Sequence, residues 1–290
     1  MFDHIAFPTP YQTLTLPSSV QLTIKRLDLI HPQISGNKFY KLKYNLLAAQ
    51  QQGLTQVLTF GGAFSNHIAA TAYAAQRFGF ESIGMIRGEE LATRDLNPTL
   101  QTAYDFGMQL HFVSRAEYQL RHEAEYLQQL QQQYPQAFII PEGGSNALAL
   151  QGTQEILSED DRENYDVICC AVGTGGTIAG LIESSSAQQQ ILGFSALKGD
   201  FLKRDIQQWT HKSNWSLTDA YCCGGYAKTT IELLQFMQHF EQQYAIPLEQ
   251  VYTAKMMMGL LDLIQQQYFP ENSRILAIHS GGLQGKLKTY

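Results

Sequence analysis

The sequence predicts an α/β protein of two domains, each an open, mostly parallel sheet flanked by helices. Three observations carry this. Short apolar runs such as "QVLTF", "ESIGMI", "DVICCAV" and "RILAIHS" alternate with helical stretches. Three polar glycine junctions, "GGAFSN", "PEGGSN" and "GTGGT", stand where strands give way to helices. A chain of 290 residues is also long enough for two modest domains.

In chain order, "VQLTIKRLDLI" alternates as a strand, and "KFYKLKYNLLAAQQQG" reads as a helix closed by Gly53. "QVLTF" is a short β-rich run, followed by "GGAFSN" and the alanine-rich helix "HIAATAYAAQRFG". Next come "ESIGMI", a helical stretch ending near Phe106-Gly107, and "QLHFVS". A long glutamine-rich helix is expected from Arg115 to Gln133, and "AFII" follows as a strand. "PEGGSNALALQG" then interrupts the pattern and returns the chain to a second sheet, with "DVICCAV", "QILGFSAL" and "RILAIHS" as its strands. The expected division is a larger domain from residues 1–43 plus 142–290 and a smaller inserted domain from residues 44–141. The glutamine-rich runs fall mostly in helical segments and read as solvated faces. No internal repeat is evident.

Composition bounds the function. With 44% hydrophobic and 16% charged residues the chain is of the globular class. A net charge of −6 without basic clusters argues against a nucleic-acid partner. No apolar stretch is long enough to cross a bilayer, so no membrane partner is expected. The opening "MFDHIAFPTP" lacks a basic region followed by an apolar run, so no secretory signal is read and a cytoplasmic protein is expected. The four cysteines form two adjacent pairs, Cys169-Cys170 and Cys222-Cys223, with no C-x-x-C spacing. The first pair lies in an apolar run and reads as small buried hydrophobes. Eight histidines are scattered without H-E-x-x-H, and no metal site is proposed.

The glycine junctions carry the chemistry. In "AVGTGGTIAGL" an apolar strand runs into Gly173-Thr174-Gly175-Gly176-Thr177 and then a helix. Glycines let backbone approach an anion, and a helix start offers N–H groups and a positive dipole end. A phosphate cup and a plain tight turn both fit. In "GGAFSNHIAATA", Ser65 and Asn66 could hold a carboxylate at a helix start or simply cap it. "PEGGSNAL" repeats the Gly-Gly-Ser-Asn arrangement at residues 143–146, with Ser145 as a further substrate contact. Three such junctions at strand ends suggest one crevice between two α/β domains. "SGNKFYKL" adds Lys38, two residues past a glycine at a helix start, and Lys41 on the same helix face as a phosphate neighbour. A phosphate cup, a carboxylate cup and a fixed lysine are what an amino-acid enzyme using pyridoxal phosphate needs.

The motifs "SGNKFYKLKYNL", "FSNHIAATA", "PEGGSNALAL", "VGTGGTIAGL", "VYTAKMMMGLLDL" and "ILAIHSGG" occur in the order seen in one pyridoxal-phosphate family. The chain resembles, over nearly its whole length, the family of 1-aminocyclopropane-1-carboxylate deaminase and D-cysteine desulfhydrase. That resemblance implies the tryptophan-synthase-β type of fold (fold type II), pyridoxal 5'-phosphate as cofactor, a small amino acid as substrate and a homodimer. It makes Lys38 the Schiff-base lysine, with Asn66 at the cofactor's phenolic oxygen and Thr174, Gly175, Gly176 and Thr177 around its phosphate. Ser65, Asn66 and His67 resemble the loop that binds the substrate carboxylate. Tyr252 in "VYTAK" and Tyr226 in "GGYAK" match two tyrosines that face substrate or ring.

Three positions depart or discriminate. Tyr40 stands where the lysine motif usually has arginine, and Phe64 where glutamine often precedes Ser-Asn-His. After Tyr252 the deaminases of the family carry an acid at the pyridine nitrogen, whereas this chain has Thr253, as desulfhydrase-like members do. A hydroxyl hydrogen-bonds a largely neutral ring and supports a weaker electron sink. The expected reaction is therefore β-elimination, with Lys38 moving the Cα proton, helped by Ser65 or a tyrosine. The alternatives are cyclopropane ring opening, or a pyridoxal-phosphate carrier with little turnover.

Overall fold

A computed structural model describes residues 1–199 and 201–287. Among the described residues, ten strands follow in chain order. They are β1 (Tyr11–Leu14), β2 (Gln21–Lys25), β3 (Gln56–Gly61), β4 (Glu81–Arg87) and β5 (Met108–Val113). Then come β6 (Ala137–Ile140), β7 (Val167–Val172), β8 (Gln190–Ser195), β9 (Trp215–Thr218) and β10 (Arg274–Ile278). They form two sheets, in two compact units. One unit comprises residues 1–6 and 31–152, the other residues 7–30 and 153–290. The chain crosses between the units at 6/7 and 30/31, and not at the expected 43/44, which lies inside the continuous helix Asn37–Gln51. The last crossing lies at 152/153 rather than 141/142.

In the first unit the sheet order is β5-β4-β3-β6, all parallel. Leu58, Phe60, Ile83 and Met85 alternate onto one face and pack with Tyr118 and Leu130. Ile86 and Met108 turn to the other face, against Ile68 and Ala72 of helix Asn66–Phe78 and Leu100 and Ala103 of helix Pro98–Asp105. Apolar cover on both faces is what a parallel sheet requires. The expected helix from Arg115 to Gln133 is broken. Arg115–Gln119 is α-helical, Leu120–His122 a 3₁₀ turn, and a second helix runs Ala124–Gln133. Glu123 between them is extended, and Arg121 leaves the helical path to bind Glu142 at 2.6 Å.

In the second unit the order is β1-β2-β10-β7-β8-β9, parallel except for the β1–β2 pair. Strand β7 is buried along its whole length, and Cys169 and Cys170 are fully buried thiols within it. Burial pushes the Cys169 thiol well up and the Cys170 thiol up to about 12, so both behave as the apolar residues expected. The Cys169 face packs on helix Thr253–Gln265 through Met256, Met257 and Leu260. Strands β1 and β9 were not anticipated. β1 is a largely exposed edge, and β9 is a half-buried edge of four residues, so neither carries the apolar run of a central strand. Among the described residues no helix is long and apolar enough to cross a membrane.

One buried ion pair ties β2 into this unit. The Lys25 amine meets the Asp161 carboxylate and donates to Ile156 O at 2.7 Å. Asp161 in turn closes a capping box with Ser158 at the start of helix Glu159–Asn164. Lys25→Met would leave the fully buried Asp161 charge uncompensated. Urea denaturation at neutral pH should show a loss of about 3–5 kcal/mol. A loss under about 1 kcal/mol would mean that water replaces the amine.

Candidate active site

In the first unit, β3 ends in a tight loop that enters helix Asn66–Phe78. Ser65 caps that helix, its Oγ accepting the Ile68 N–H at 3.4 Å. Gly61 is needed for the turn, since a Cβ there would lie 2.4 Å from Ile68 Cγ1 and 2.9 Å from Ser65 Oγ. Asn97 steadies the loop by donating to Ala63 O at 3.0 Å. Ser65 and Asn66 are half-buried, and Phe64 beside them is 68% exposed. The backbone N–H groups of Asn66 and His67 have no carbonyl one turn back to bond, so this helix start can receive an anion.

The His67 side chain turns inward. Thr59 Oγ1 donates to Ile140 O at 2.8 Å and lies 2.8 Å from His67 Nε2. The threonine proton is thereby spent, so Nε2 must carry the imidazole hydrogen and Nδ1 is a bare acceptor. Nδ1 is buried with no hydrogen-bond partner. Burial, then the charges of Lys38 and Lys41, pushes this histidine well below its ordinary value. The contribution left to His67 toward a carboxylate is its backbone N–H.

Lys38 is the second residue of helix Asn37–Gln51, half-buried, with its amine 3.1 Å from Asn37 Oδ1. Lys41, one turn on, is 2% exposed and donates to Gly143 O at 3.0 Å and Ser145 Oγ at 2.9 Å. Burial, then the Lys38 charge, lowers its pKa well below that of an ordinary lysine. Gly143 and Gly144 hold φ of 66° and 71°, a left-handed pair that suits glycine. A Cβ on Gly144 would stand 3.1 Å from His67 Cε1 and 3.5 Å from Lys41 Cβ. The structure therefore gathers Lys38, Lys41, Ser145, Ser65, Asn66 and His67, with two of the three glycine junctions, at one region of this unit.

The third junction belongs to the second unit. β7 runs into Gly173-Thr174-Gly175, and helix Gly176–Ser184 begins at once, with Gly175 at φ 81° as its cap. A Cβ on Gly173 would lie 2.9 Å from the Tyr252 ring, so the ring closes one side of the turn. Tyr252 stands edge-on to Tyr226, centroids 6.1 Å apart, and Tyr226 is 44% exposed. Thr177 is buried and Thr174 exposed.

Thr253 opens helix Thr253–Gln265 and is fully buried. Its Oγ1 accepts the Glu249 N–H at 2.9 Å and lies 3.3 Å from Glu249 Oε1. The Glu249 carboxylate, itself buried, accepts the N–H groups of Val251, Tyr252 and Thr253 at 2.7–2.8 Å. Burial raises its pKa, and the backbone donors act against that rise. The threonine hydroxyl thus already has an acidic neighbour. Sequence reading missed Glu249, because it precedes the cap residue Tyr252 by three positions and carries no cap signature there.

Residues 3–281 match the family described as pyridoxal-phosphate dependent enzymes, and the chain belongs to it. The protein is thus a pyridoxal-phosphate enzyme of the tryptophan-synthase-β fold type, in the group that holds 1-aminocyclopropane-1-carboxylate deaminase and D-cysteine desulfhydrase. A Thermotoga maritima protein provisionally named a 1-aminocyclopropane-1-carboxylate deaminase is 32% identical, over 96% of this chain and 95% of its own. The bifunctional mitochondrial D-cysteine desulfhydrase/1-aminocyclopropane-1-carboxylate deaminase of Arabidopsis thaliana is 30% identical, over 98% and 78%. A crystal structure of an ACC deaminase homologue superposes with a TM-score of 0.85 at 28% identity, covering 97% of this chain and 91% of that one.

Each unit holds residues that fit the cofactor. In the second unit the tight Gly173–Gly175 turn leads into a helix start that favours a phosphate, and in the first unit Lys38 offers a half-buried amine. Bound pyridoxal phosphate supplies an aldehyde for a lysine or amino-acid amine and a ring that draws electrons from Cα.

Two outcomes follow from this geometry. Gly173→Ala would press on the Tyr252 ring at the cradle. The dissociation constant for pyridoxal phosphate should rise about tenfold or more, with thermal stability falling by only a few degrees. Unchanged affinity in the folded variant would move the phosphate elsewhere. The second concerns pH. Buried His67 and His279 both titrate below the ordinary value of 6.5, His279 chiefly through burial, against the pull of Asp28. Below that pH the unfolded chain binds protons that the folded one refuses, so stability falls as pH falls. The slope should reach up to about 1.4 kcal/mol per pH unit for each histidine. Urea midpoints between neutrality and mild acid should show it, and a flat profile would contradict the neutral assignments.

Proposed function

We propose that the protein eliminates the β-substituent of a small amino acid, with D-cysteine giving pyruvate, ammonia and hydrogen sulfide. The observation that carries this reading is Thr253. A buried hydroxyl stands where the deaminases of the family carry an acid, and its immediate acidic neighbour, Glu249, is occupied by three backbone N–H groups. A hydroxyl favours a largely neutral ring, which suits a reaction driven by a good leaving group. In this reading Lys38 carries the cofactor, Asn66 meets its phenolic oxygen, and Gly173 to Thr177 hold its phosphate. The helix start at Ser65, Asn66 and His67 takes the substrate carboxylate. Lys38 removes the Cα proton, with Ser65, Tyr226 or Tyr252 as the hydroxyl partner. Hydrosulfide leaves Cβ, and the released 2-aminoacrylate takes up water to give pyruvate and ammonia.

A second reading, opening of the cyclopropane amino acid to 2-oxobutyrate and ammonia, is favoured by the name of the Thermotoga relative. A screen of D- and L-cysteine, β-chloroalanine, serine and the cyclopropane acid separates the two. The expected result is pyruvate and sulfide from D-cysteine at least about tenfold faster than 2-oxobutyrate from the cyclopropane acid. The reverse order would overturn the proposal. Borohydride reduction and peptide mapping should place the pyridoxyl label on Lys38, and Lys38→Ala should abolish turnover while the protein still folds. A label on Lys41 would reassign the cofactor lysine.

A further inference from the structure

Lys255 is the third residue of helix Thr253–Gln265, and the reaction leaves it unused. It is 2% exposed, yet among the described residues no carboxylate bonds its amine. The amine donates instead to the backbone carbonyls of Cys222 and Gly225, each at 2.8 Å. Those two carbonyls also accept the N–H groups of Gly225 and Lys228, at 3.0 and 3.2 Å, in two successive turns. The segment between them is strained. Cys223, Gly224, Gly225 and Ala227 all hold left-handed φ, from 53° to 122°, and two of these residues carry a Cβ. Such a run persists only where something outside it fixes its carbonyls. A second tie lies beside it, for Tyr221 donates to Asp262 Oδ2 at 2.6 Å and its ring covers Gly259, where a Cβ would stand 2.6 Å away. The loop leads directly into Tyr226, whose ring meets Tyr252 at the head of the same helix.

We propose that Lys255 is a positioning residue, whose buried amine gathers the Cys222 and Gly225 carbonyls and so holds Tyr226 edge-on to Tyr252. Both tyrosines are then presented by one helix, Tyr252 from its cap and Tyr226 through the amine one turn along. An amine committed to two carbonyls is not a competing site for the cofactor aldehyde. The effect on catalysis rests on the reading that Tyr226 and Tyr252 face the bound amino acid.

The test compares holoenzymes. In Lys255→Met the amides of residues 222–228 should exchange with deuterium about tenfold faster or more, while those of helix Ile231–Tyr244 keep their rates. With the fastest substrate of the screen, kcat/KM should fall about fivefold or more while cofactor affinity stays within about twofold. In a Tyr226→Ala background the same Lys255→Met change should alter kcat/KM by less than about twofold, since Lys255 acts through that tyrosine. Unaltered exchange, or equal losses in both backgrounds, would overturn the proposal. Lys255→Gln, which keeps a shorter donor, is read in the same way should the Met variant not fold. Collapse of both would also overturn it, by making Lys255 a residue of global stability. Exchange and cofactor affinity need no turnover, so inactivity toward D-cysteine would sink the substrate reading and leave this one standing.

Discussion

The amine of Lys41, buried against Gly143 O and Ser145 Oγ, sets the placement of everything around Lys38. Burying that amine is expensive, and burial together with the Lys38 charge favours its neutral form. What it secures is geometry. Helix Asn37–Gln51 is pinned by its first turn to the Gly-Gly-Ser-Asn turn, and Asn45 reinforces the joint through Asn146 at 2.7 Å. Lys38 lies three residues before Lys41 at the start of the same helix. The inward, neutral His67 belongs to the same arrangement. A charged imidazole would repel the lysine amines beside it, and the Thr59–Ile140 hydrogen bond keeps its proton on the far nitrogen.

The second unit applies the same physics at the head of helix Thr253–Gln265. Glu249 accepts three N–H groups before the helix starts, and Lys255 donates to two carbonyls one turn inside it. Each is a buried ionisable side chain whose hydrogen bonds go to backbone groups, and the Glu249 charge also acts on Lys255. Both tyrosines inherit their orientation from these bonds.

The sheet strands that are buried on both faces were legible, because runs such as "DVICCAV" read alike in sequence and in space. The glycine junctions were legible too, as was Lys38 at its helix start. The edge strands Tyr11–Leu14 and Trp215–Thr218 were not, since a four-residue edge shows no sustained periodicity. The break at Leu120–Glu123 was hidden because no Gly or Pro marks it; a distant partner, Glu142, draws Arg121 out of line. At the site, residue types were readable but proton positions were not. Lys41 read as a phosphate neighbour, and its amine donates to the Gly143 and Ser145 junction. His67 read as part of a carboxylate cup, and its imidazole lies behind that cup. Lys255 acts through backbone partners 30 and 33 residues away in the chain, a relation no local motif encodes, whereas Glu249 binds N–H groups two to four residues on.

The contact between Gly173 and Tyr252 makes two distant positions evolve as one. A methyl group at 173 has no room while the Tyr252 ring is in place, and truncating that ring would leave a hollow of about one side chain above the glycine. Any lineage that reshapes this side of the site must therefore pass through a variant that is either crowded or underfilled, unless both codons change together. Trading bulk between 173 and 252 preserves the filled volume while moving it from the turn after β7 to the head of helix Thr253–Gln265. Only paired changes at these two positions keep that junction packed.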